Sequence, residues 1–279
     1  MTLRQRIFRL PSRDGAGFSL GDVVVILLVA IVLYFGLQLA LGTPDAIEGP
    51  EINLDPAAVP FYALLSIGRM LAAYALSLIF SIAYGYLAAR GKSTERWLMP
   101  VLDILQSVPI LSFLPVVLLS FTAILPEDLA VELAAVILIF TSQAWNLTFS
   151  FYQSMRTIPT EYLEAAGVFR FSRWLRFKQV ELPFAAMGLI WNSVMSWAGG
   201  WFFLMAAEMF TLGDRDVRLP GLGAYLQTAA IEGDTQALLV GIVTLIIIIV
   251  LLDQLVWQPL LAWAARFKVS QVSDDNPPT

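Results

Sequence analysis

Long apolar runs separated by short polar segments set the pattern of this chain. Six runs stand out, at 23–41, 62–89, 105–124, 131–150, 184–207 and 237–257. A helix that crosses a bilayer needs ~20 predominantly apolar residues, so the pattern predicts six transmembrane helices. The first run has 19 residues. A secretory leader has a core of ~7–15, so 23–41 reads as an uncleaved span. The third run contains Pro109 and Pro115. Each proline removes a backbone donor, so this span is expected to kink or break.

Polar and small residues recur inside the runs at helical spacing. Ala73, Ser77, Ser81 and Gly85 fall at every fourth position of the second run and so share one helix face. Small residues there let two backbones approach closely, which marks a packing face. Gly188, Asn192, Ser196 and Gly200 step by four in the fifth run, and the fourth run adds Gln143, Asn146 and Ser150. Polar groups within a bilayer are costly unless they face partners or water. Gln143, Asn146, Asn192, Ser196 and Gly200 are therefore candidates for a translocation path. The competing reading is interhelical hydrogen bonding, worth only ~0.6 kcal/mol per bond.

Composition narrows the class. Of 279 residues, 58% are hydrophobic and 14% charged, against about a quarter charged in soluble domains. Mean hydropathy is +0.74. This is the profile of an all-α polytopic membrane protein. Cysteine and histidine are absent, which excludes disulfides, Cys/His metal sites, a histidine base and a cysteine nucleophile. No metal site is expected. The stretch GYLAARGKS has five residues between Gly85 and Gly91, one more than a phosphate-binding loop requires. No nucleotide site is expected in this chain. Asn146-Leu147-Thr148 matches a glycosylation sequon but lies within a span.

Charge supplies the orientation. Segments 1–22, 90–99, 151–183 and 264–279 hold 14 of the 17 basic residues. Basic loops stay in the cytoplasm, so both termini are predicted to be cytoplasmic. Acids dominate the opposite loops. Segment 1–22 is then a cytoplasmic lead, 23–268 the membrane domain, and 269–279 a disordered tail. No internal repeat is visible, so a single-chain inverted-repeat transporter is not supported. Asp103, Glu208 and Asp253 fall near span ends, which argues against an ion-coupled carrier and for an energy source outside the bilayer.

The cytoplasmic segment 151–183 contains the longest amphipathic stretch, Glu161 to Pro183. It sets Arg170, Arg173, Arg176 and Lys178 against Glu161, Glu164 and Glu181. Thr160 is expected to cap one helix, with Glu161 and Glu164 at its positive end. Ser172 is expected to cap a second, over 173–180, that stops before Leu182-Pro183. Val168, Phe169, Phe171, Trp174 and Phe177 are more apolar than a solvated loop needs. A short charged helix with an apolar face suits docking into a groove of a soluble partner; an interfacial helix on lipid headgroups is the alternative.

This stretch resembles the EAA loop of ABC-importer permeases. Glu164-Ala165-Ala166 and Leu182-Pro183 stand at the family spacing, and Val180 replaces its isoleucine. The family glycine position is Arg170, while Gly167 lies three residues earlier, so the turn between the helices is expected to differ. The similarity spans about 66–268 and is strongest to the nitrate/sulfonate/taurine branch. The resemblance implies a type I importer permease in the bacterial cytoplasmic (inner) membrane, non-catalytic itself. Its expected partners are ABC ATP-binding subunits that hold ATP and Mg, a second permease copy or paralogue, a periplasmic or lipoprotein solute-binding protein, and the lipid bilayer; nucleic acid is not among them. Glu161, Glu164, Ala165, Ala166, Gly167, Arg170, Leu182 and Pro183 would couple to the ATP-binding subunit. The solute would be small, an oxyanion such as nitrate, sulfonate or bicarbonate. An ion-coupled secondary carrier and a non-transporting scaffold are the other readings.

Overall fold

The computed structural model describes residues 50–212 and 215–267, with isolated helical positions at Leu27, Ala30 and Tyr34. The predicted span 23–41 otherwise lies outside the described residues, as do the lead 1–22 and the tail 269–279. Asp55 accepts the Ala57 N–H at 2.9 Å and starts a short 3-10 turn that leads into α1, Val59–Ala89. After Gly91 come α2, Lys92–Ser107, and α3, Ile110–Thr122. Then follow α4, Glu127–Arg156, and the short α5, Thr160–Val168, and α6, Arg173–Arg176. A π-helical turn, Phe177–Glu181, runs into α7, Leu182–Glu208. The two-residue strands β1, Thr211–Leu212, and β2, Arg215–Asp216, pair antiparallel. The chain closes with α8, Leu222–Glu232, α9, Thr235–Leu252, a second π turn, and α10, Gln258–Ala264.

Among the described residues, three helical stretches are long and apolar enough to cross a membrane: Pro56–Ala89, Glu127–Arg156 and Thr235–Phe267. α7, at 27 residues, is comparably long but is not among these three. The third predicted span, 105–124, is not one helix. Residues 105–107 end α2, the chain bends by 77°, and α3 starts after Pro109. Pro109 lies outside both helices, where its missing N–H costs nothing. Pro115 instead sits within α3.

α4 is central and α9 peripheral. In the most apolar part of α4, 44% of residues are buried inside the protein, against 11% in the closing helical stretch. Leu239, Ile246 and Val250 on α9 are more than half exposed, apolar side chains that suit a helix solvated by acyl chains. The main core joins α1, α4 and α7 through Met70, Ala73, Ile139 and Leu204. Ala73, Ser77, Ser81 and Gly85 all lie buried on the face of α1 turned to α4. Ser77 donates to the Phe140 carbonyl at 3.1 Å and Ser81 to the Ala144 carbonyl at 2.9 Å. Thr148 returns a bond to Ser81 at 2.9 Å.

Candidate functional site

α4 ends at Arg156 and the chain turns through Pro159 into α5. Pro159, not Thr160, occupies the cap position, and no side chain caps the helix. Thr160 is already helical, because the fixed φ of the preceding proline starts the turn. α5 closes on a Schellman motif. The Phe171 N–H donates to the Ala166 carbonyl and the Arg170 N–H to the Gly167 carbonyl, both at 2.9 Å. Arg170 takes the left-handed position with φ +53° and is the only non-glycine with positive φ among the described residues. The turn expected to change keeps the geometry that a glycine would give it. The side chain's steric cost there is about 1 kcal/mol.

Ser172 caps α6 as expected, accepting the Leu175 N–H at 3.2 Å. The second helix does not stop before Leu182-Pro183, however. It continues through the π turn into α7, with the Leu182 N–H reaching the Phe177 carbonyl. Pro183 has no N–H and would crowd the carbonyl four residues back; a widened turn just before it removes both problems. The same arrangement recurs at Asp253–Trp257, two residues before Pro259. Within the turn, Arg176 Nε donates to buried Glu181 at 2.8 Å. Trp174 stacks on Phe177, which meets Tyr86 of α1 edge-on. Tyr86 in turn lies under the Arg90 guanidinium at 4.6 Å. An aromatic chain thus ties the loop to the end of α1.

The loop is otherwise uncovered. In α5 only Ala166 is buried; Glu161, Glu164, Ala165, Gly167 and Arg170 are exposed. Glu161 and Glu164 form no ion pair among the described residues. Val168 is 80% exposed, Phe169 73% and Trp174 71%. Leu182 and Pro183 are half-buried, and Leu182 packs near Phe151 and Leu189. Exposed apolar side chains grouped in this way are a general mark of interaction surfaces.

The candidate path residues form a seam between α4 and α7. Gln143, Ser196 and Gly200 are buried there. The Gln143 amide reaches Met70 Sδ at 3.4 Å, and a Cβ on Gly200 would stand 2.6 Å from that amide nitrogen. Asn146 donates to Ser196 Oγ at 3.1 Å, and Asn192 to Ser150 Oγ at 3.0 Å and the Gly188 carbonyl at 2.9 Å. Within this chain the seam is filled by packing; only Asn146 is exposed and Asn192 half-buried. The open face of α7 lies beside it and carries Trp191, Met195 and Phe202, each about 60% exposed. Its polar pattern is weak, so periodicity of polar residues passes over it.

A second cluster escaped the sequence reading. Glu208 and Arg69 are buried at 0% and 5% exposure, at the opposite end of α1 from the loop. The Glu208 carboxylate accepts from Ser66 Oγ at 2.6 Å, Arg69 Nη1 at 2.8 Å and the Gly223 N–H at 2.7 Å. Arg69 also holds Glu132 through two bonds, at 2.7 and 2.6 Å, and the Pro220 carbonyl at 2.8 Å. Ser66 Oγ accepts the Leu222 N–H at 2.9 Å. The cluster clamps α1, α4, α7 and the start of α8 together. Glu208 closes α7, at a span end as expected, but it is a fully buried charge paired with Arg69. The signal was a lone arginine in an apolar run and a glutamate four residues past the Gly200–Leu204 step.

Residues 81–256 match the model of the family described as binding-protein-dependent transport system inner membrane component. Over 192 residues the chain is 28% identical to the nitrate import permease protein NrtB of Leptolyngbya laminosa, covering 68% of this chain and 64% of that relative. It is 24% identical over 205 residues to the bicarbonate transport system permease protein CmpB of Synechococcus elongatus, covering 73% and 67%. With the putative aliphatic sulfonates transport permease protein SsuC of Bacillus subtilis it shares 25% identity over 276 residues, covering 96% and 95%. With the family match spanning well over half its length and the loop pattern in place, the chain belongs to the binding-protein-dependent transport system inner membrane components, the permeases of ABC importers, in their nitrate/sulfonate branch.

Proposed function

We propose that this chain is the membrane permease subunit of an ATP-driven importer for a small oxyanion of the nitrate, bicarbonate or sulfonate kind, in a bacterial inner membrane. The observation that carries the reading is the uncovered loop. Glu164 and the apolar Val168 and Phe169 stand out from the membrane domain on a helical turn held by backbone bonds. In this reading the loop is cytoplasmic and seats in a groove of an ATP-binding subunit, which binds ATP and Mg. Motion of that subunit reaches α7 through the continuous helix from Arg173 and reaches α1 through the Trp174–Phe177–Tyr86 contact. The Arg69–Glu208 cluster braces the far, external end, so that α1, α4 and α7 move as one body. Two permeases, identical or paralogous, would face each other across the open side of α7, with Asn146 beside the path. A solute-binding protein would deliver its cargo at the braced end.

The test is Glu164→Lys in the reconstituted complex of permease, ATP-binding subunits and binding protein. Membrane insertion should be unchanged, while solute-stimulated ATP hydrolysis falls to the unstimulated rate. Normal stimulation would remove the loop from the coupling role. Uptake that persists after ATP depletion would instead identify an ion-coupled carrier.

A further inference from the structure

A groove of about 490 Å³ runs between α1 and the turn after α6. One wall is a single face of α1, with Ile79, Ile82, Ala83 and Tyr86 in turn and Arg90 at its end. The other is formed by Arg173, Trp174 and Phe177 of the loop. The wall is graded. Ile79 is 68% exposed; eleven residues on, Arg90 closes this face, and Arg173 lines the groove from the loop side. At ~1.5 Å per residue that is roughly 16 Å, about half of a ~30 Å hydrocarbon core and so the depth of one leaflet. Among the described residues, no carboxylate lines the groove. Neither Arg90 nor Arg173 forms an ion pair among the described residues. Among the described residues, the Arg90 guanidinium meets the Tyr86 ring and its hydroxyl.

From this gradient we infer that the groove seats an anionic phospholipid, its phosphate between Arg90 and Arg173 and its acyl chains along Ile79, Ile82 and Ala83. Charge and depth both select the ligand. A cationic rim at the end of a lipid-facing apolar wall attracts anionic headgroups, and Trp174 offers the amphipathic ring that favours a membrane interface. Because Arg90 caps α1 and Arg173 belongs to the loop, one lipid would bridge the loop and the membrane domain. The assignment rests on the reading of the loop end as a membrane boundary, but its readout does not depend on transport.

The full chain, purified in detergent, is titrated with phosphatidylglycerol or phosphatidylcholine of identical acyl chains, and bound lipid is counted by native mass spectrometry. Phosphatidylglycerol should bind roughly tenfold or more tightly. The double variant R90Q/R173Q should lose that preference while keeping the thermal stability of the parent, and Ile82→Trp should weaken both lipids. Equal binding of the two lipids, or a preference that survives R90Q/R173Q, overturns the site. So does displacement of the lipid by inorganic phosphate at equal concentration, which would leave an anion site without an acyl seat. Because the chain has no cysteine, Ile79→Cys paired with single cysteines along 23–41 reports cleanly on a rival occupant. A disulfide that forms in membranes places the first apolar run in the groove and also overturns the proposal. Glu164→Lys should leave lipid binding intact, which separates this test from that of the coupling loop.

Discussion

Gly221→Ala tests the buried cluster most sharply. Gly221 has extended backbone, φ 179°, so alanine meets no conformational penalty and any effect is steric. Its methyl carbon would stand 2.3 Å from the Glu208 carboxyl carbon and 2.3 and 2.4 Å from the two oxygens. Carbon atoms sit at ~3.5 Å or more, so the carboxylate must retreat by roughly 1 Å. Its three donors, Ser66 and Arg69 on α1 and Gly223 on α8, cannot all follow. Bonds to charged groups are worth ~1.5–3 kcal/mol each. Loss of two gives about 3–6 kcal/mol, which overlaps the ~3–5 kcal/mol lost when a buried ion pair loses one partner. Equilibrium unfolding by SDS in mixed micelles, followed by tryptophan fluorescence, measures the change. Two other glycines calibrate it. An alanine at Gly223 would meet the Met205 carbonyl at 2.9 Å and Glu208 Cβ at 3.0 Å, an overpacking of ~1–3 kcal/mol. An alanine at Gly167 meets nothing within 4 Å and should stabilise the helix by ~0.5–1 kcal/mol. Adding Glu208→Asp to Gly221→Ala shortens the clashing side chain and should recover part of the loss. A Gly221→Ala protein within ~0.5 kcal/mol of the parent would refute the clamp.

Arg170→Gly should raise stability by at most ~1 kcal/mol, since it relieves the left-handed arginine, and should leave stimulated ATP hydrolysis unchanged; lost stimulation would show that the arginine side chain itself touches the partner. Ser81→Ala should cost about 1 kcal/mol in the same SDS titration, two interhelical bonds at ~0.6 each; a loss above ~3 kcal/mol would mean that this seam does more than ordinary packing. Gly199→Trp, where nothing lies within 4 Å of an added Cβ, should leave stability within ~0.5 kcal/mol and reduce uptake to near background; unchanged uptake would place the open face of α7 against lipid.

What the sequence by itself determined is whatever depends on local pattern. Apolar run length set most of the long helices because backbone groups in lipid must be satisfied within the segment. The four-residue steps from Ala73 to Gly85 read out directly as the α1–α4 contact, since helical periodicity projects such residues onto one face. The spacing from Glu164 to Pro183 named the loop, because both of its turns are held by bonds between near neighbours. Tertiary structure decided the rest. Pro109 and Pro115 look alike in the sequence, yet one breaks the chain and the other sits within a helix. Leu182-Pro183 reads as a stop, but packing of Leu182 beside Phe151 holds the helix together and a π turn absorbs the proline. Arg170 lacks the freedom of glycine and is carried into the left-handed position by the Schellman bonds around it. Above all, Ser66, Arg69, Glu132, Glu208 and Gly223 meet across sequence separations of up to more than 150 residues. No local period could register them, because their burial is tolerable only once each has found the others.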